Sequence, residues 1–153
     1  MDTYVCNLLV DFCNADTIAK IKNTEGKPVT TIRDLLYESE VLYGACSLED
    51  EEKVHKHIGD LTLFISGIFP ERLKYLGTKN MIHHPDRIID HMKAGKRSYA
   101  IVAQHRSSNG MPDSSMYTLL SHEFEASVVS LNSVRKKLDQ MPATLETRGL
   151  IID

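Results

Sequence analysis

The chain has 153 residues, 42% of them hydrophobic and 25% charged, and a formal net charge of −3. That length supports one domain with a real core, burying roughly 70% of the surface its unfolded form would expose. The slight negative charge argues against a general attraction for nucleic acid or anionic lipid, and the longest nearly apolar run, 58–69, is interrupted by Asp60 and too short to span a bilayer.

The N-terminal residues lack the basic, apolar and small-residue order of a secretion signal, since Asp2 and Asp11 bracket the first apolar stretch. A cytoplasmic protein with no nucleic-acid or membrane partner is the expectation. Cys6, Cys13 and Cys46 are odd in number and lack zinc-knuckle spacing. On one helix Cys6 and Cys13 would lie two turns, roughly 10 Å, apart, too far for a disulfide. Reduced, buried thiols are therefore expected.

Asp2 or Thr3 is placed to cap a first helix, in which Tyr4, Val5, Leu8, Leu9 and Phe12 form an apolar stripe as far as Cys13 or Asn14. Residues 17–30 leave three readings open: one small β-hairpin, continued helix, or plain loop. Thr31 with Asp34 makes a capping-box-like pair for a helix reaching about Ala45.

Ser47 with Asp50 repeats that pair at the head of the most apolar element. There Val54, Ile58, Leu61, Ile65 and Ile68 recur at helical spacing, and Leu63, Phe64 and Phe69 add apolar surface on other sides. A helix apolar nearly all round belongs at the centre of a bundle. Pro70 should end it near Phe69 and start a short second helix closed by Gly77, and Gly67 adds to the bend expected there.

Pro85 and Asp86 open a helix whose face runs through Ile88, Met92, Gly95, Tyr99, Val102 and Arg106, and close approach of a neighbouring helix backbone would explain Gly95. Asp113 can cap a last long helix to about Asp139. Tyr117, Phe124, Leu131 and Leu138 take one heptad position in it, and Leu120, Ser127 and Val134 the other.

The fold class expected is thus all-α: an antiparallel bundle of about five helices over residues 1–143, with the hairpin near 17–30 left open and a tail at 144–153. The tail carries Leu150, Ile151 and Ile152, and its sequence does not say whether it docks on the body.

Chemistry is sparsely signalled. Glu52 and His55 have the Glu-x-x-His spacing of dimetal bundles, but no second copy is present, and helical phase puts both toward the flank or the outside of their helix. No metal or cofactor is called for. His57, His91, Tyr99, His105 and Tyr43 are candidates to line a pocket between helices, and adjacent His83 and His84 read as solvated. Lys93, Lys96 and Arg97 form a basic cluster able to hold an anion, although a solvated face is the favoured account of it. No catalytic set, glycine-rich phosphate loop or activated-serine elbow is recognisable.

The strings YVCNLLVDF at 4–12, HIGDLTLFISGIFPE at 57–71 and GKRSYAIVA at 95–103 carry a resemblance to a family of uncharacterised bacterial, mostly helical proteins. The resemblance implies a bacterial, cytoplasmic helical protein and brings no activity or site residue with it. Function therefore reads as protein–protein interaction or self-association, with a homodimer as the simplest form; the alternative is a small-molecule or metal pocket between helices.

Overall fold

The computed structural model describes residues 1–23, 25–32, 34–37, 47–71 and 86–141, and for 86–90 the backbone alone. The expected helix end near Ala45, Cys46, the continuation to Gly77, His83 and His84, Pro85 and the tail lie outside the described residues. Among those described, the architecture is an all-helical bundle without a named strand, and no helix is long and apolar enough to cross a membrane.

Helix α1 spans Asp2–Phe12. Met1 stands at its N-cap, and Asp2 sits within the first turn rather than capping it. Leu8 and Phe12 are buried, and Tyr4, Val5 and Leu9 are half-buried beside them. Cys6 and Cys13 are exposed, against the expectation of buried thiols, because the inward face is already taken by Tyr4, Leu8 and Phe12.

Helix α2, Ala15–Ile18, is capped by Asn14, whose side chain accepts from the Asp16 N–H at 3.0 Å. After it the chain doubles back through a loop with one antiparallel bridge, Lys22 to Pro28. Gly26 turns that loop with φ of 76°, and Asn23 Oδ1 accepts from the Glu25 and Lys27 N–H groups. Of the three readings left open for 17–30, the outcome is a short helix followed by a hairpin-shaped loop.

Both capping pairs form as expected. Asp34 N–H donates to Thr31 Oγ1 at 3.1 Å and Asp50 N–H to Ser47 Oγ at 3.3 Å, and each cap hydroxyl donates back to the carboxylate. Residues 34–37 are helical, and Leu35 is fully buried. Helix α3, Leu48–Ile68, follows the second cap, and every residue from His57 to Phe64 is buried. Phe69 leaves the helical region with φ −128° and ψ 54°, as the residue before a proline should.

Helix α4, Asp86–Ser108, runs antiparallel to α3 and packs along it. A Cβ on Gly95 would meet the Phe124 ring at 2.7 Å and Thr62 Cβ at 2.9 Å, so this glycine makes room for side chains and not for a neighbouring backbone. On the facing helix, a Cβ on Gly59 would lie 2.7 Å from Tyr99 Cε1. Gly67 likewise serves packing, since a Cβ there would meet Leu131.

The last helix, expected as one element, is two: α5, Ser114–His122, and α6, Phe124–Asp139, parted at Glu123 with φ −98° and ψ 23°. The break falls where the seam changes neighbour, α5 lying mainly on α4 and α6 on α3. Tyr117, Leu120, Phe124, Ser127 and Leu131 are buried as the heptads require. Beyond them Val134 and Leu138 stand 43% and 58% exposed.

Replacement Gly59→Ala should destabilise the fold by about 1–3 kcal/mol through overpacking, after the gain in helix propensity of up to about 1 kcal/mol has been counted. A urea midpoint lowered at unchanged slope is the expected result.

Candidate functional site

Among the described residues, the densest polar constellation surrounds Asp60, in the middle of α3. Its side chain is buried. Oδ1 accepts from the Tyr4 hydroxyl at 2.6 Å and the Tyr99 hydroxyl at 2.8 Å, and Oδ2 accepts from Lys56 Nζ at 2.6 Å. Lys56 lies one helical turn before Asp60, so local geometry supplies that pair. The two tyrosines come from α1 and α4.

Tyr117 of α5 extends the cluster. Its ring stands edge-on to Tyr4 at 5.7 Å between centroids and lies 6.1 Å from Tyr99. The Arg106 guanidinium covers Tyr117 at 5.2 Å, donates from Nε to Glu52 at 2.8 Å, and pairs through Nη1 with Asp113. One connected network therefore joins α1, α3, α4 and the start of α5.

Electrostatics make this network a holder of protons. Burial first, and then the adjacent Asp60 carboxylate, push the Tyr4 and Tyr99 hydroxyls far above the ordinary tyrosine value. Burial also raises Tyr117. All three stay protonated at neutral pH and act as donors, unable to serve as bases or nucleophiles there.

A second grouping lies between α3 and α4. His55 Nδ1 is 3.2 Å from Ser98 Oγ, and His55 Nε2 is 3.9 Å from Glu51 Oε1. Serine, histidine and carboxylate in that order invite comparison with an acyl-transfer triad. Ser98 is only 1% exposed, however, and 3.9 Å is too long for an orienting hydrogen bond, so nucleophilic attack on a substrate is not open to it.

The residues singled out from sequence are dispersed. Tyr99 is committed to Asp60. His57 stacks on Phe12 at 5.9 Å and 22°, and its Nε2 lies 3.3 Å from the Ile18 carbonyl, which assigns the ring proton to Nε2. It fastens the α1–α2 segment to the core. His105 and His91 are half-buried on α4. Tyr43 lies outside the described residues.

Glu52 turns to Arg106, whereas His55 is buried against Ser98, so the Glu-x-x-His pair is divided. The flank position expected of His55 is corrected here, because α4 covers that side of α3. No three His, Cys, Asp or Glu side chains converge to hold a metal among the described residues. In the basic cluster Lys96 is drawn to both Glu125 oxygens, at 3.0 and 3.1 Å, while Lys93 and Arg97 are exposed.

Sequence reading missed Tyr4, Lys56, Asp60 and Tyr117 as a set. The available signal was Asp60 itself, a carboxylate inside the most apolar run, with a lysine four residues before it.

Tyr99→Phe should cost about 1.5–3 kcal/mol, the range for a hydrogen bond to a charged group. A Tyr4→Phe/Tyr99→Phe double-mutant cycle should be non-additive, since both hydroxyls serve one oxygen.

Stability should also depend on pH. Burial lowers both His55 and His57, against the opposing pull of Glu51 on the first and of the Ile18 carbonyl and Asp60 on the second. His105 and Arg97 lower His55 further, as Lys20 and Lys56 do His57. The unfolded chain then binds protons at a higher pH than the fold. The stabilisation is fully present above the ordinary histidine value of about 6.5 and is lost as pH falls below it. Unfolding midpoints measured from pH 8 to 5 should decline, and less steeply in His57→Gln.

Comparison of the chain with protein-family models, with curated proteins and with solved structures found no match.

Proposed function

We propose that this chain is a helical interaction protein that works by self-association, with the exposed end of the α6 seam as the contact. The observation that carries the reading is the course of the heptads. Phe124, Ser127 and Leu131 are buried against the bundle, and the same face continues through Val134, Leu138 and Met141, which are 43%, 58% and 53% exposed.

Apolar side chains at successive heptad positions are what a second helix packs against, and homo-oligomers most often form by pairing one such surface with its own copy. One flank of the stripe is already ordered. Arg135 is held by Glu71 at 2.6 Å and covers Phe69. The polar groups of the interior are consistent with this reading, because the Asp60 carboxylate is answered from within the fold by Tyr4, Tyr99 and Lys56. A bacterial cytoplasmic setting belongs to the same proposal; the bacterial part rests on the family resemblance alone, and the cytoplasmic part also on the N-terminal residues.

Sedimentation equilibrium over a wide concentration range should reveal a dimer. Val134→Glu/Leu138→Glu should weaken it at least tenfold, about 1.4 kcal/mol, without appreciably shifting the unfolding midpoint measured at concentrations where both chains are monomeric. A wild-type chain monomeric at the highest concentrations would remove the proposal.

A further inference from the structure

The geometry points to a resident water molecule at the crossing of α3 and α6, held by the hydroxyls of Thr62, Ser66 and Ser127. These side chains are 0%, 3% and 7% exposed. Their oxygens are sealed from solvent and have no hydrogen-bond partner among the described residues. Buried hydroxyls without partners are uncommon in native proteins, and an internal water is one established means of satisfying them.

The register brings the three together. Thr62 and Ser66 are one turn apart on the same face of α3. Thr62 sits beside the Phe124 ring, as their common approach to Gly95 shows. Ser66 sits beside Asn132, whose Nδ2 donates to the Ser66 carbonyl at 3.2 Å. Ser127 lies on α6 between Phe124 and Asn132, on the buried seam, and so falls at the level between Thr62 and Ser66.

Side-chain size agrees with that placement. Ser127 occupies the heptad position filled elsewhere by Leu120 and Val134, so the seam is short of carbon there. Thr62 and Ser66 oppose it with side chains that are also small. Three neutral hydroxyls, each able to donate and to accept, match the two to four partners a buried water needs. Neither a cation nor an anion is favoured, since no charged group belongs to the set.

Oxygen-17 magnetic relaxation dispersion on the full chain counts long-lived internal waters. The wild type should show one that is lost in Thr62→Val and retained in Ser130→Ala, an exposed hydroxyl on α6. An unchanged amplitude in folded Thr62→Val would overturn the assignment. Should that variant fail to fold, a high-resolution crystal structure of the wild type decides the matter. Water density within about 3.2 Å of at least two of the three oxygens is expected, and a dry crossing rejects the site.

Discussion

A carboxylate placed in a stretch of helix buried on all sides must be answered by donors, because an uncompensated buried charge costs several kcal/mol. Asp60 imposes that condition on this protein. Lys56 answers from within the helix, and Tyr4 and Tyr99 answer from α1 and α4. Gly59 completes the arrangement, since its missing side chain is the space in which the Tyr99 ring lies. Two adjacent residues of α3 thus specify one partner twice, by shape and by hydrogen bond.

The remaining packing follows from the same burial. A helix covered on every side needs neighbours on every side, and α1, α4 and α6 supply them. The departure at Glu123 lets α5 follow α4 while α6 turns to α3, so the seam can change partner without an interrupting loop. Where α3 ends at Ile68, the seam of α6 runs out of neighbours among the described residues, and Val134, Leu138 and Met141 come to the surface. Under the self-association proposed above, a core-forming pattern would become an interaction surface simply by outlasting its partner.

The interior is unusually mixed. His55, His57, Asp60, Thr62, Ser66 and Ser98 are all buried on or against the central helix. Such groups weaken the apolar driving force but make the packing specific where each finds its partner, as His57 does with Phe12 and the Ile18 carbonyl. They also tie stability to proton uptake, since the two histidines are neutral when buried.

By itself the sequence determined what local interactions decide: the caps at Thr31 and Ser47, the end of α3 before Pro70, the apolar faces of α1 and α4, and the central place of the 47–69 helix. Those features rest on contacts within a few residues and on helical period, both of which can be read along the chain. Asp60 was visible as a charge out of place, but its partners were not, for Tyr4 is 56 and Tyr99 is 39 residues away. Periodicity could not say which way His55 faces on a helix buried all round, nor that Cys6 and Cys13 point outward, nor that the last helix divides at Glu123. Only the tertiary structure decided these, because each depends on which distant surface arrives to pack against the residue, and no repeat within one element encodes that.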